Sequence, residues 1–137
     1  MHSYLSMILI MFASGLLSSM WVWSDKLVDV RISLNDVYMI LLMSGLMIFF
    51  TAMFDKRYTS LVISALFIIF ILYCIRTQFL VNKQQYYTGM IPHHSMAIHQ
   101  SKKLLTNYSE SLSSDEIDFI NNIIRTQERE IEWMKSK

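Results

Sequence analysis

The chain has 137 residues, of which 53% are apolar, with three glycines and a single proline. That length suffices for one ordinary domain, but so apolar a composition is unusual in a small soluble protein. The formal net charge is only +1. Because the chain lacks the basic field that nucleic-acid binding requires, nucleic acid is not expected as a partner.

Long apolar runs occupy the first part of the chain and predict a transmembrane domain over residues 1–81. We expect three helices in it, at about 3–23, 37–54 and 60–81. Each run approaches the roughly 20 residues that cross a bilayer, and all are too long and unbroken for barrel strands. The first run lacks a basic leader and a small-residue cleavage site, so we expect it to be retained. The sequence therefore predicts a multi-pass protein of the cell membrane, with the lipid bilayer as a partner.

From Asn82 the composition becomes polar and amphipathic, which predicts a soluble two-helix module over residues 82–137. Pro92 is expected in the first turn of its first helix, since the missing N–H would lack a partner there anyway. A capping box from Ser113 to Glu116 predicts where the second helix begins. The short polar linker between them favours antiparallel neighbours. The predicted fold class is all-α, with three transmembrane helices followed by an antiparallel two-helix hairpin.

The segment from Met90 to His99 contains three imidazoles and two thioethers, which are ligands for a soft metal. Helical spacing predicts that His94 faces the partner helix, that His93 and Met96 flank it, and that His99 meets solvent. The hairpin would bring residues of the second helix opposite the histidine pair. The candidate metal ligands are His93, His94, Met90, Met96 and Met134, and residues that could ligate or support them are Gln127, Glu128, Glu130 and His99.

The chemistry of these side chains favours Cu(I) or Ag(I) as the bound ion. Methionine sulfur is soft and selects such ions, whereas imidazole also accepts Cu(II) and Zn(II). Histidines in the first turn of a helix would be kept neutral by the helix dipole, and the neutral ring is the form that binds metal. Each residue also has a simpler interpretation. The methionines can be core residues, His99 can be solvated, and Glu128 or Glu130 can pair with Arg125 or Arg129.

Three stretches carry a resemblance to a known family: Met90-Ile-Pro-His-His-Ser-Met-Ala-Ile98, Ile123-Ile-Arg-Thr-Gln127 and Glu130-Ile-Glu-Trp-Met134. Together they resemble the domain of unknown function 305 family, in particular members with three membrane helices before one His-His module. The resemblance implies a ferritin-like helical module, often outside the cytoplasmic membrane, with some relatives linked to copper or silver. The family positions carried over are Met90, His93, His94, Gln127, Glu130 and Met134. This sequence departs from the pattern at His99 and Gln100.

Only one helix pair is present, so a four-helix bundle would need a second copy and a homodimer is expected. Basic residues do not separate the two membrane sides clearly, because Lys56 and Arg57 mark one side while Lys26, Arg31 and Lys83 mark the other. The compact loop at Lys56 suits a cytoplasmic anchor, and the resembling family is usually exported. We therefore predict an extracytoplasmic C-terminal module.

These observations favour a membrane-anchored metal-binding protein that buffers, stores or transfers Cu(I) or Ag(I), rather than an enzyme. Two alternatives stay open at this point. One is a structural or dimerising membrane module without metal. The other is a ferritin-like di-metal oxidoreductase, for which the sequence lacks the usual Glu-x-x-His pairs.

Overall fold

The computed structural model describes residues 4–18 and 20–137, and these residues form five α-helices and no β-strand. The helices are α1 (Tyr4–Leu17), α2 (Leu34–Phe54), α3 (Tyr58–Thr77), α4 (Lys83–Tyr108) and α5 (Ser114–Lys135). Two short 3-10 turns, Met20–Trp23 and Leu27–Asp29, lie between α1 and α2. The predicted all-α class is confirmed.

The chain divides into two compact units. The first, which we call the apolar unit, contains residues 1–19 and 34–81, and the second, the polar unit, contains residues 20–33 and 82–137. Residues 20–33, which we call the connecting segment, thus belong with α4 and α5, although they lie between α1 and α2 in sequence. The sequence-based boundary at residue 81 placed these residues in the transmembrane domain, because they precede residue 81 in the chain.

Two helices of the apolar unit, α2 and α3, are long and apolar enough to cross a membrane. The first predicted span is shorter than expected, because α1 ends at Leu17 and Met20–Trp23 forms a separate turn. Residues 3 and 19 of that predicted span lie outside the described residues. The third span also ends early, at Thr77, where Gln78 adopts a left-handed conformation that terminates the helix.

Close helix contact in the apolar unit depends on two glycines. A Cβ at Gly15 would lie 2.6 Å from Cγ1 of Ile40, and one at Gly45 would lie 3.0 Å from Cδ1 of Phe67. Small residues of this kind let helices approach closely in lipid, where water does not drive their association. Near the start of α2, the Tyr38 hydroxyl donates to the carbonyl of Phe79. This hydrogen bond joins the start of α2 to the end of α3.

The prediction that Pro92 opens a helix is wrong. Helix α4 begins at Lys83, where the Asn82 side chain accepts a hydrogen bond from the N–H of Gln85 at 2.9 Å, and Pro92 lies well inside it. Gly89, three residues before Pro92, also lies inside this helix. It is a helical residue at a close approach, since a Cβ there would lie 3.1 Å from Oγ of Ser33.

The predicted capping box at the start of α5 is confirmed. The Ser113 hydroxyl accepts a hydrogen bond from the N–H of Glu116, and the Glu116 carboxylate accepts one from the N–H of Ser113 at 2.8 Å. That backbone donor stabilises the ionised carboxylate and lowers the pKa of Glu116. Both orphan N–H groups at this helix end are satisfied by side chains.

Helices α4 and α5 pack against each other around a small apolar core in the polar unit. Its buried members are Ile91, Ile98, Ile131 and Met134, and Tyr87, Met90 and Ile124 pack against them. The contacts pair early residues of α4 with late residues of α5. This register brings the sequence positions around residue 94 next to those around residue 130.

Candidate functional site

His94 is the central residue of the candidate site. Its imidazole is mostly buried, and Nδ1 lies 3.1 Å from Oε2 of Glu130 on α5. Although the angle at Nδ1 is not that of a well-aligned hydrogen bond, a ring protonated at Nδ1 can donate to this carboxylate. Burial lowers the pKa of His94, while the neighbouring Glu130 carboxylate acts in the opposite direction. The ring is therefore neutral at neutral pH.

The cause of this neutrality differs from the one that the sequence predicted. His93 and His94 do not lie in the first turn of a helix, because α4 begins at Lys83. The dipole of α4 acts mainly within its first turn and has little effect ten residues further on. Removal of the ring from water is the main cause of the lowered pKa.

Two methionines accompany His94 near the apolar core. Met134 is buried within that core, and Met90 packs against it while being partly exposed. Met90 precedes His94 by four residues and Glu130 precedes Met134 by four residues, so each pair shares one face of its helix. The arrangement brings one imidazole, one carboxylate and two thioethers to the packed side of the two helices.

The remaining predicted residues lie in more open surroundings. His93 is exposed, and Met96, His99 and Gln127 are partly buried. The exposed Glu128 lies 3.9 Å from Nζ of Lys102, which matches the simpler ion-pair interpretation although the partner is a lysine of α4 rather than an arginine. Gln127 lies among the isoleucines of α5, where a fully buried carboxamide would need a hydrogen-bond partner. Its partial exposure lets water satisfy the carboxamide.

A second polar cluster in the polar unit was missed by the sequence analysis. Asp29 of the connecting segment is 2% exposed, and its Oδ2 accepts a hydrogen bond from the Ser95 hydroxyl at 2.9 Å. Nζ of Lys135 forms an ion pair with Oδ1 of Asp29 at 2.7 Å, which raises the pKa of Lys135. Ser95 also accepts from the N–H of Asp25 at 2.9 Å. These contacts hold the connecting segment against both α4 and α5.

The Asp29 cluster lies next to the candidate site around His94 in the sequences of both helices. Ser95 directly follows His94, and Lys135 directly follows Met134. A cavity of about 290 Å³ lies beside the second cluster, lined by Asp25, Lys26, Asp29, Ile98, Glu128, Ile131, Glu132 and Lys135. The sequence offers no local signal for this cluster, since 66 residues separate Asp29 from Ser95.

Classical metal sites made of charged ligands are absent from the described part of the chain. Among residues 4–18 and 20–137, no group of three or more His, Cys, Asp or Glu side chains is arranged to hold a metal ion. Hard cations and di-metal centres require such carboxylate-rich sets. Here Glu130 brings one carboxylate to His94, and Met90 and Met134 belong to the apolar core between α4 and α5.

The fold and the candidate site define a helical protein with a strongly apolar unit and a small polar unit that carries His94. The chain is 41% identical over 140 residues to "Uncharacterized protein L153" of Acanthamoeba polyphaga mimivirus, an alignment that covers 96% of this chain and 90% of the viral protein. The chain therefore belongs to the same family as this viral protein. No family model matches the sequence. No solved structure matches it either.

Proposed function

We propose that this protein is a membrane-anchored metal-binding protein that holds Cu(I) or Ag(I) for buffering or transfer. The observation that carries the proposal is the mostly buried imidazole of His94, whose Nδ1 lies 3.1 Å from a carboxylate oxygen of Glu130 on the neighbouring helix. A neutral ring nitrogen and a carboxylate oxygen repel each other at this distance unless a proton or a cation lies between them. Met90 and Met134 make a soft cation the better fit.

The burial of each residue changes which of the sequence-predicted residues we propose as primary ligands. His94, Met90 and Met134 are the proposed primary ligands, with Glu130 as a ligand or as the group that orients the imidazole. His93 is exposed and becomes an auxiliary ligand at most. The residues fit a soft monovalent ion, because thioether and imidazole donors are present and the site does not rely on several carboxylates.

The anchoring half of the proposal rests on α2 and α3. We propose that α1 joins them as a short third membrane helix, because it is apolar and packs against α2 through Gly15. With the polar unit outside the cytoplasm and able to pair with a second copy, the resemblance to the domain of unknown function 305 family would extend to a ferritin-like arrangement. The packing of α4 on α5 supports this part.

Titration of the full chain with Cu(I) tests the proposal. The protein is purified in detergent without a histidine tag and titrated under reducing conditions against a chromogenic Cu(I) competitor. We expect one tightly bound ion per chain in the wild type and at least a tenfold weaker affinity in His94→Ala. His99→Ala, which removes a partly buried imidazole one turn beyond Ser95, is the matched control and should bind as the wild type does.

Equal affinities for the wild type and the combined variant His94→Ala, Met134→Leu would overturn the proposal. In that case the favoured function is a structural module without metal. The buried cluster around Asp29 already supplies a structural role for polar residues in this unit.

A further inference from the structure

The connecting segment buries two of its polar side chains and exposes most of its described apolar ones. Asp29 is 2% exposed and Ser33 is 3% exposed, whereas Leu27 is 82% and Val28 is 68% exposed. A loop in water normally shows the reverse distribution, because burying a carboxylate is costly whereas burying a leucine side chain is favourable. Among the side chains of the segment that the structure describes, at positions 22–33, the exposed apolar ones are Val22, Trp23, Leu27, Val28 and Ile32.

The acids of this segment are neutralised by the helices beneath it. Asp29 pairs with Lys135, and Asp25 pairs with Lys102 at 2.7 Å, so both carboxylates are turned toward α4 and α5. The outer surface of the segment therefore loses the negative charge that its sequence contains, and it presents the exposed Lys26 beside the apolar side chains. Such a surface is suited to a medium less polar than water.

Chain connectivity indicates what that medium is. Residue 33 is followed directly by α2, one of the two helices that can cross a membrane, so the segment cannot lie far from the end of that helix. The hydrogen bond between Tyr38 and Phe79 places the start of α2 and the end of α3 at the same end of the apolar unit. An exposed tryptophan, Trp23, is typical of the layer where headgroups meet acyl chains.

We propose that the connecting segment is a membrane-surface anchor, with Leu27, Val28 and Ile32 inserted among lipids at the level of the glycerol backbone. Apolar side chains embedded at this depth bind through the area that they bury. The inference rests on the membrane-anchored part of the proposed function and is independent of metal binding. It means that the polar unit is held at the bilayer surface by its own segment as well as by its links to α2 and α3.

Spin labels on the full chain test this anchor. With Cys74→Ser as background, one cysteine is introduced as Leu27→Cys, Val28→Cys or Ile32→Cys, labelled with a nitroxide and reconstituted into phosphatidylcholine nanodiscs. Oxygen partitions into lipid and a neutral nickel chelate stays in water, so their collision rates report the surroundings of each label. Phe119→Cys on α5, which replaces a side chain that is 66% exposed, is the control for water.

We expect labels at 27, 28 and 32 to collide with the nickel chelate at least threefold less often than the label at 119, and more often with oxygen. Nickel accessibility equal to that at 119 would overturn the anchor, and protection from both reagents would overturn it in favour of a protein contact. A label at Ile69→Cys on α3, where the side chain is 63% exposed, separates the two proposals. Water around that label would refute membrane anchoring as a whole, whereas lipid there with water at 27 would refute only the surface anchor.

Discussion

His94 is the residue whose protonation responds most directly to folding of the candidate site. Desolvation holds the pKa of His94 below its ordinary value of 6.5, even though Glu130 lies 3.1 Å away and favours the charged ring. In the unfolded chain that desolvation is lost, so the unfolded state takes up the proton more readily. The residue therefore links protonation to folding, apart from any part that it has in binding an ion.

The pH dependence of stability follows from this shift. The contribution of His94 is fully present above pH 6.5 and is lost as the pH falls below 6.5 toward the lower pKa of the folded state. We expect the metal-free protein in detergent to lose thermal stability between pH 7.5 and pH 5, and His94→Gln to show a smaller loss over this range. Circular dichroism melting curves at several pH values measure the difference.

His99→Gln is the control for this measurement and should retain the wild-type pH response. An unchanged response in His94→Gln would mean that other titrating groups produce it. In that case the ring of His94 would not be desolvated to the extent that its surroundings indicate.

At the scale of elements, the connecting segment is joined to α4 and α5 by one buried carboxylate. Asp29 binds Ser95 of α4 and Lys135 of α5, so three elements meet at a single side chain. Removing one partner of a buried ion pair is costly because the other charge stays desolvated, whereas removing both is often much less harmful. The Asp29 cluster is therefore more sensitive to single substitutions than its small size suggests.

A double-mutant cycle at this ion pair is therefore informative. Lys135→Met should lower the free energy of unfolding by about 3 kcal/mol, near the lower end for a buried pair because Lys135 keeps part of its side chain in water. The variant Asp29→Asn, Lys135→Met should lose less than the sum of its two single variants. Chemical unfolding of the detergent-solubilised protein provides the free energies.

Glu132→Gln serves as the matched control. Glu132 also pairs with Lys135, at 3.4 Å, but it is largely exposed, so its loss should cost under about 1 kcal/mol. Strict additivity at Asp29 and Lys135 would show that the two charges do not depend on each other.

The elements differ in how far sequence could predict them. The all-α class and the capping box at Ser113 follow from local patterns, and local patterns determine them in the structure as well. The start of α4 was mispredicted because Pro92 is common at helix starts, yet here Asn82 caps the helix well before it. The end of α1 was mispredicted because hydropathy continues smoothly through Trp23 while the helix does not.

The candidate site was predictable only in part, because its geometry depends on contacts distant in sequence. Helical spacing predicted that His94 would face α5, and the structure brings it to Glu130. The same spacing left His93 at the border of the packed face, where the structure exposes it. Asp29 gave no signal, since nothing in its local sequence distinguishes it from the other acids of a polar loop.

On the scale of the whole molecule, chain order and membrane sides are coupled. Helices α2 and α3 are joined by a short turn at residues 55–57, and Tyr38 binds Phe79 at their opposite ends. If both helices cross the bilayer, the turn lies on one side, and the connecting segment with α4 and α5 lies on the other. Two crossings between residues 33 and 78 return the chain to the side from which it started, so residues 33 and 78 lie on the same side.

Cysteine labelling in sealed membrane vesicles measures the sides. With Cys74→Ser as background, Lys56→Cys reports on the turn and Ser111→Cys reports on the loop between α4 and α5; both positions are exposed. In right-side-out vesicles, a membrane-impermeant maleimide should label position 111 and should reach position 56 only after detergent is added. This outcome follows from the predicted extracytoplasmic module together with two complete crossings by α2 and α3.

Three other patterns each have a distinct meaning. Labelling of 56 but not 111 would keep both crossings and reverse the orientation, as the three basic residues Lys26, Arg31 and Lys83 against Lys56 and Arg57 would favour. Equal labelling of both positions before detergent would contradict spanning by the α2 and α3 pair, because the turn and the polar unit would share one side. Labelling of neither before detergent, with both reactive afterwards, would likewise place them on one side, the vesicle interior, and would contradict the two crossings.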